Sequence, residues 1–183
     1  MKKKLPITAL ILCAGASSRM GFPKALLDIK GKTLLERHLE IYRQICQRII
    51  VVTGATTEQI RPFLSGCIEV HNQNWASTEM RHSILLGIES ISKEERILLT
   101  PIDNPPASIE DIYKLASYSS PVCAGFQGKP GHPALLHSGW LKEKAAIGPL
   151  NIQSMSIVSF DEERLFNLNR PEDVGVWKKN TDR

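Results

Sequence analysis

The chain has 183 residues, of which 42% are hydrophobic and 23% are charged, so it can bury a substantial core and is not an intrinsically disordered chain. Its formal net charge is +4, but it has no arginine-rich stripe of the kind that binds nucleic acid. Its apolar runs are too short to cross a membrane. Its four cysteines lack the Cys-x-x-Cys spacing of a zinc site. We therefore expect a single domain over residues 1–183, located in the cytoplasm, with neither a nucleic-acid nor a membrane partner.

The predicted strands and helices alternate along the chain. Residues 7–13 are almost all apolar, which is typical of a strand buried on both faces, and a loop rich in Gly, Ala and Ser follows at residues 14–23. Thr33, with Glu36 three residues later, predicts a helix that continues to residue 46. The remaining predicted strands are residues 49–53, 67–70, 96–100, 122–124, 134–136 and 155–160, and the remaining predicted helices are residues 56–64, 78–91 and 108–118 and a terminal helix that begins at Pro171.

This alternation predicts an α/β fold of three layers with a mostly parallel sheet. In such sheets, ligands bind beyond the carboxyl ends of the strands. Two segments with suitable chemistry lie at such ends, residues 14–24 after the first strand and residues 101–106 after the fourth. We therefore expect these two segments to form one site.

The loop at residues 15–24, GASSRMGFPK, has the composition of a phosphate-binding segment. Small residues let the backbone turn its N–H groups toward phosphate oxygens, while Arg19 offers a planar fork and Lys24 a compact charge. The spacing of Gly15 and Gly21 does not fit the Gly-x-Gly-x-x-Gly fingerprint of dinucleotide sites. On loop chemistry alone, a glycine-rich connection between a strand and a helix is the alternative.

Residues 12–24 resemble the L-x-A-G-x-S-x-R-M-G-x-x-K signature of the MobA-like NTP transferases, and within that family they are most similar to molybdenum cofactor cytidylyltransferases. Further family motifs follow in the same order, so the resemblance spans about residues 5 to 178. They are Asn74-Trp75-Ala76 with Met80 and Ser83, Asp103 within residues 101–106, Gly131-His132-Pro133, and Asn169-Arg170-Pro171-Glu172-Asp173.

The resemblance implies a Rossmann-like nucleotidyltransferase that moves CMP from CTP to the phosphate of molybdopterin or molybdenum cofactor and releases pyrophosphate. It implies Arg19, Lys24 and Asp103 as catalytic residues, Mg²⁺ as cofactor, and Asp103 with Asn169 as its ligands. A molybdoenzyme is a further partner that it implies. The nucleotide-binding residues that it implies are Leu12, Cys13, Ala14, Gly15, Ala16, Ser17, Ser18, Arg19, Lys24, Thr53, Asn74, Ser83, Pro101 and Asp103.

Three functions stay open at this point. Ala14 favours cytidylyl transfer, because guanylyl-transferring relatives usually carry Gly-Gly at the positions of Ala14 and Gly15. The second hypothesis is a nucleotidyltransferase of the same fold that uses a sugar phosphate or an alditol phosphate. The third is a nucleotide-binding accessory protein of molybdoenzyme maturation without catalysis. It is favoured by departures from the family pattern at Glu79 and Arg81 and by the lack of a Gly-Asp-x-Gly element in residues 145–154, segments that serve the acceptor in relatives.

Overall fold

The computed structural model describes residues 4–119, 121–161 and 167–181. Its strands are β1 (Leu5–Cys13), β2 (Asp28–Ile29), β3 (Lys32–Thr33), β4 (Cys46–Thr53), β5 (Ile68–His71), β6 (Arg96–Pro101), β7 (Val122–Phe126), β8 (Lys129–His137) and β9 (Ser156–Ser159). Its helices are α1 (Leu34–Ile45), α2 (Thr57–Ile60), α3 (Met80–Ile88), α4 (Ile109–Ala116), α5 (Ser138–Ile147) and α6 (Pro171–Thr181). Within these ranges, no helix combines the length and the apolar character that a membrane crossing requires.

Seven strands form one sheet in the order β5-β4-β1-β6-β8-β7-β9. Only β8 among them runs antiparallel to its neighbours, so the sheet is mostly parallel, as predicted. Leu12 of β1 pairs with Val52 on one side and with Pro101 on the other, so the carboxyl ends of β1, β4 and β6 lie side by side. From β1 the chain passes first to β4, on one side of β1, and later to β6, on the other side. The strand order therefore reverses at the boundary between β1 and β6, and ligands bind at such switch points of α/β sheets.

Helices cover both faces of the sheet, which confirms the three-layer prediction. Alternate residues of β1 pack on opposite faces, because side chains along a strand point alternately up and down. Ile11 and Cys13 belong to the core beneath α1, α4 and α6, whereas Leu10 and Leu12 belong to the core beneath α3 and α5.

Helix α1 connects the core to the carboxyl end of β6. Its capping box is confirmed: Glu36 N–H donates to Thr33 Oγ1 over 3.1 Å, and the Glu36 carboxylate accepts from Thr33 N–H over 2.8 Å. On its buried face, the Tyr42 hydroxyl shares a hydrogen bond of 2.7 Å with Thr100 Oγ1. His38 Nε2–H donates to the Asn104 carbonyl oxygen over 2.9 Å, so α1 fixes the segment that follows β6.

Two elements differ from the prediction in kind. Helix α5 was not predicted, because its buried face is a narrow stripe of Ser138, Leu141 and Ala145 within a sequence that also contains Gly139. The β2–β3 hairpin was missed as well. It has only two residues in each strand, and its turn residues Lys30 and Gly31 both have positive φ.

The bounds of several predicted elements also change; the predicted helix over residues 56–64, for example, is reduced to α2 and one 3₁₀ turn. Helix α1 ends at Ile45 and β4 begins at Cys46, three residues earlier than predicted. Helix α3 is shorter at both ends than the predicted residues 78–91. The residues before α3 instead form the segment 72–79, which contributes to the cleft described below.

Candidate functional site

A cleft of about 300 Å³ lies at the carboxyl edge of the sheet, at the β1–β6 boundary. Its walls come from the loop after β1, the segment between β5 and α3, and the residues that end β6. The lining residues are Leu12, Ala14, Gly15, Ser17, Ser18, Arg19, Lys24, Asn72, Trp75, Thr78, Glu79, Met80, Ser83, Pro101, Ile102 and Asp103.

The glycine-rich loop folds back on itself at Ser17. Ser17 has a φ of 54°, its carbonyl oxygen accepts from Met20 N–H over 2.9 Å, and its hydroxyl oxygen accepts from Lys24 N–H over 3.1 Å. Gly21 takes a φ of 77°, which glycine adopts without strain. These contacts place Arg19 and Lys24 on the same cleft although five positions separate them.

The start of this loop packs tightly against the end of β4. Ala55 N–H donates to the Ala14 carbonyl oxygen over 3.1 Å. A Cβ atom at Gly54 would overlap that oxygen and lie 2.9 Å from Trp75 Cβ. Gly54 is therefore required for the close approach of the two backbones.

Lys24 connects the loop to two oxygen acceptors, one from the end of β6 and one from the start of α6. Its Nζ donates to Asn169 Oδ1 over 2.8 Å and lies 3.4 Å from Asp103 Oδ2. The Lys24 side chain is 11% exposed and the Asp103 side chain 29%. A partly desolvated cation thus faces a carboxylate that solvent can still reach.

Backbone contacts hold Asp103 in this place. The Asp103 carbonyl oxygen accepts from Leu168 N–H over 2.8 Å, and Ile102 N–H donates to the Leu12 carbonyl oxygen over 3.2 Å. The next residue, Asn104, donates from Nδ2 to Asn167 Oδ1 over 2.8 Å. The segment after β6 is therefore tied both to β1 and to the residues that precede α6.

Asn169 is positioned by the start of α6. The Asp173 carboxylate in the first turn accepts from Asn169 N–H over 2.9 Å and from Arg170 N–H over 2.8 Å. Pro171 begins the helix, as predicted, where its missing N–H costs nothing. The Asn-Arg-Pro-Glu-Asp segment thus does more than start a helix, because it carries an amide oxygen to Lys24.

Cys13 does not provide a nucleophile at the cleft. Burial, with a smaller contribution from the Asp103 carboxylate, raises the pKa of the Cys13 thiol. Burial also lowers the pKa of His132, so this imidazole is neutral near pH 7. The charged residues that line the cleft are Arg19, Lys24, Glu79 and Asp103.

The side-chain oxygens of Asp103 and Asn169 suit a hard divalent cation whose other ligands are water and phosphate. Among residues 4–119, 121–161 and 167–181, no group of three or more His, Cys, Asp or Glu side chains forms a metal cage. Asp103 and Asn169 instead offer one carboxylate and one amide oxygen that converge on a single cation, the Lys24 ammonium. Mg²⁺ commonly takes one or two protein oxygens and completes its shell with water and phosphate.

The structure brings most of the predicted nucleotide-binding residues to the cleft. Those that line it are Leu12, Ala14, Gly15, Ser17, Ser18, Arg19, Lys24, Ser83, Pro101 and Asp103. Cys13 lies in the core on the other side of β1, Thr53 is buried and hydrogen-bonded to Glu69 and His71, and Ala16 and Asn74 are exposed outside the cleft lining.

Sequence reasoning missed other lining residues, of which Asn72 is the most connected. Asn72 is buried, and its side-chain amide donates to Thr78 Oγ1 and to Ser83 Oγ, each over 3.1 Å. Its position directly after β5 was an available signal, since polar residues after parallel strands meet at one edge. Trp75 is another of the missed residues, since it is 37% exposed and lines the cleft.

The segment that departs from the family pattern borders a second cavity. Glu79 and Arg81 form an ion pair with 3.0 Å between Oε2 and Nε, at the mouth of the cleft. Thr78 and Glu79 also line a neighbouring cavity of about 340 Å³, which extends to Ala145 at the end of α5. Glu79 thus lines both the cleft and the neighbouring cavity, whereas Arg81 lines the cavity alone.

Comparisons with known proteins identify the family of the chain. The profile of the MobA-like NTP transferase domain matches residues 9–158. The chain is 27% identical to the molybdenum cofactor cytidylyltransferase of Escherichia coli K12, over 94% of this chain and 96% of that protein. It is also 27% identical to a probable molybdenum cofactor guanylyltransferase of Nostoc, over 93% of this chain and 89% of that protein.

A solved structure shows the same fold. A nucleotidyl transferase from Methanothermobacter thermautotroptrophicus superposes with a TM-score of 0.79 at 21% identity, covering 95% of this chain and 96% of that chain. The predicted three-layer α/β fold is therefore confirmed by a nucleotidyltransferase as well as by the strand order.

Proposed function

The chain belongs to the MobA-like NTP transferase domain family, and from this premise we propose that it transfers CMP from CTP to the terminal phosphate of molybdopterin or its metal-loaded form. Nucleotidyl transfer is the activity named for the relatives that span nearly the whole chain. The choice of CTP and of a pterin phosphate as acceptor is our proposal. A single domain over residues 1–183, a cytoplasmic location and a molybdoenzyme partner stay predictions.

One observation carries the proposal. Lys24 of the glycine-rich loop contacts Asp103 and Asn169 directly, and Lys24 and Asp103 line the same cleft, so a cation and an anion border one space that a nucleotide can enter. Reactions between two phosphates need this arrangement, because the charge on both must be neutralised before they approach.

In the proposed reaction, an oxygen of the acceptor phosphate attacks the α-phosphorus of CTP in line. The bond from the α-phosphorus to the bridging oxygen breaks, and pyrophosphate leaves with that oxygen and its negative charge. The acceptor phosphate is already deprotonated near neutral pH, so no protein nucleophile or general base is required. The chain contributes positioning and charge neutralisation.

Each charged residue has a separate task in this reaction. The backbone of residues 14–21 and the Arg19 guanidinium hold the β- and γ-phosphates, which become the leaving group. The Lys24 ammonium, now bound to Asp103 and Asn169, moves to a phosphate oxygen when the nucleotide enters. Asp103 and Asn169 are the residues that would hold Mg²⁺, and the ion would supply neutralisation of charge on the triphosphate.

The test is a pyrophosphate-release assay with Mg²⁺, each of the four nucleoside triphosphates, and molybdopterin as acceptor. We expect release with CTP and molybdopterin and a much lower rate with GTP. Faster release with GTP would change the proposed donor, in line with the guanylyltransferase relative, and would leave nucleotidyl transfer intact.

The same assay separates the other functions. Release with a sugar phosphate or an alditol phosphate in place of molybdopterin would assign a different acceptor. Binding of nucleotide in titration calorimetry without release for any acceptor would assign an accessory protein without catalysis. The Glu79–Arg81 pair and the cavity beside it are the features that would account for either outcome.

A further inference from the structure

The Lys24 ammonium lies where side-chain oxygens from two distant segments converge. Its Nζ is 2.8 Å from Asn169 Oδ1 and 3.4 Å from Asp103 Oδ2. The backbone of Asp103 is held by Leu168 N–H, which donates to its carbonyl oxygen over 2.8 Å. The backbone of Asn169 is held by the Asp173 carboxylate, which accepts from its N–H over 2.9 Å. Both oxygens therefore belong to residues with anchored backbones, and a positive charge already binds them.

A divalent cation held by the same two oxygens would need the position that the ammonium takes. Mg²⁺ binds carboxylate and amide oxygens at about 2.1 Å, which is closer than an ammonium approaches them. Two cations cannot share the pair of oxygens, because positive charges so close together repel each other strongly outside bulk water. The side chains of Lys24 and Asp103 are 11% and 29% exposed, so solvent screens this repulsion only in part. Metal binding at Asp103 and Asn169 therefore requires the ammonium to leave.

The backbone of Lys24 is anchored, whereas its side chain can move. The Lys24 N–H donates to Ser17 Oγ over 3.1 Å, and the next residue, Ala25, is buried in the core beneath α1. A lysine side chain is long and flexible, and the cleft borders both Lys24 and Asp103. The ammonium can therefore turn from the two oxygens into the cleft without a displacement of the loop.

The ammonium needs another anionic partner when it turns away from Asp103. A partly buried cation that leaves its carboxylate loses a charge-assisted hydrogen bond, and the carboxylate loses its counter-charge. A triphosphate in the cleft supplies oxygens for Lys24, and a divalent cation supplies positive charge for Asp103. Each of the two ligands thus offsets the penalty that opposes the other, so their binding to the protein is coupled, and the coupling is reciprocal.

We propose that Lys24 is an internal competitor of the divalent cation, whose ammonium holds Asp103 and Asn169 until a triphosphate draws it into the cleft. The protein alone then has a low affinity for a divalent cation, and it gains a complete metal site only together with the triphosphate. This device prevents a metal ion from binding to Asp103 before the substrate does. The inference rests on the proposed function, since it takes a nucleoside triphosphate as the anion that releases Lys24.

The first experiment measures Mn²⁺ binding without nucleotide, by electron paramagnetic resonance, for the protein and for Lys24→Met. Methionine has a similar length but no charge, so it cannot compete for the two oxygens. We expect Lys24→Met to bind Mn²⁺ about ten- to hundredfold more tightly, the range for one charge-assisted hydrogen bond. A lysine that served only the phosphates would leave this affinity unchanged.

Two further variants show whether the gain belongs to the contact. Arg19 is an exposed cation that lines the same cleft, and within the described ranges it forms neither a hydrogen bond nor an ion pair with Asp103 or Asn169. Arg19→Met removes the same charge, and we expect a much smaller gain. Asp103→Asn combined with Lys24→Met is expected to abolish the gain, because the carboxylate that would bind Mn²⁺ is then absent.

A second experiment follows Lys24 in the unmodified protein. Nuclear magnetic resonance of protein labelled with ¹³C-lysine detects the Cε groups, and the signal of Lys24 is the one that Lys24→Met lacks. With EDTA present, inorganic tripolyphosphate is expected to shift this signal, because the ammonium exchanges Asp103 for phosphate. Mg²⁺ alone, at a concentration that saturates Lys24→Met, is expected to leave the signal nearly unchanged.

The outcomes separate the inference from the proposed function. An unchanged Mn²⁺ affinity in Lys24→Met, an equal gain in Arg19→Met, or a Lys24 signal that does not respond to bound tripolyphosphate overturns the inference. In each case the pyrophosphate-release assay still decides the proposed function. If Lys24→Met gains Mn²⁺ affinity while the protein neither binds a nucleoside triphosphate nor releases pyrophosphate, the proposed function fails and the competition by Lys24 stands.

Discussion

Lys24 Nζ lies 2.8 Å from Asn169 Oδ1, although 145 positions of the chain separate the two residues. The contact joins the loop after β1 to the segment that begins α6, and both meet Asp103 at the end of β6. The loop after β1 and the segment that begins α6 lie near opposite ends of the chain, and they meet at the Lys24 ammonium.

Lys24→Ala is expected to lower the rate of pyrophosphate release by on the order of 10²-fold or more, because the charge on the leaving group is then less neutralised. Lys32→Ala is the matched control, since Lys32 is an exposed lysine that pairs with Glu40 away from the cleft. Near-normal turnover of the Lys24 variant, with the control also active, would remove Lys24 from the mechanism.

Asp103→Asn is expected to weaken Mg²⁺-dependent nucleotide binding and to lower the rate by on the order of 10²-fold, because the neutral amide cannot offset the charge of a divalent cation. Titration of Mn²⁺ in the presence of nucleotide, followed by electron paramagnetic resonance, measures the metal affinity directly. Asp28→Asn, at an exposed carboxylate of the β2–β3 hairpin, is the control. Equal Mn²⁺ affinity in the Asp103 variant and the unmodified protein would contradict the assignment.

Gly54→Ala is expected to destabilise the fold by about 1–3 kcal/mol, because the added methyl group overlaps backbone atoms that cannot rotate away. The contact is with Ala14, so the glycine-rich loop must shift and nucleotide affinity is expected to fall as well. Urea unfolding and nucleotide titration measure the two effects.

Gly148→Ala provides the comparison for this substitution. Its Cβ atom would meet open space and its φ is 179°, so the change is expected to be nearly neutral in both measurements. An equally small effect at Gly54 would show that the loop tolerates a displacement of Ala14.

The sequence predicts those parts of the fold whose signals are local and repeated. The capping box of α1, the buried strand β1 and the proline that begins α6 each depend on a few neighbouring residues, and all three are confirmed. Helix α5 lacks such a signal, since its place is decided by packing against α3 and not by a broad apolar face.

The parts of the site that come directly after buried strands could be predicted from the sequence. Asp103 and the loop at residues 14–24 were found because they come directly after buried strands. The hydrogen bond from Asn72 to Ser83 could not be predicted in this way, because it depends on how the segment between β5 and α3 folds. The contact of Asn169 with Lys24 likewise depends on tertiary structure.

Mild acid is expected to destabilise the fold through His38. Burial, opposed in part by its hydrogen bond to the Asn104 carbonyl, lowers the pKa of His38 from 6.5 to about 4. Between these values the unfolded chain binds a proton that the folded chain excludes, so stability falls as the pH falls from 6.5 toward 4. From pH 7 to pH 5 this group alone is expected to cost about 2 kcal/mol of unfolding free energy.

Urea unfolding at pH 7 and pH 5 checks the contribution of His38 when the protein is compared with His38→Met, a variant of similar bulk that cannot be protonated. The variant is expected to be less stable at pH 7, because the Asn104 carbonyl loses its donor, yet to lose less stability on acidification. Because Asn104 adjoins Asp103, the His38–Asn104 hydrogen bond links stability in acid to the cleft. If the protein and His38→Met lost stability equally between pH 7 and pH 5, His38 would not be the group responsible.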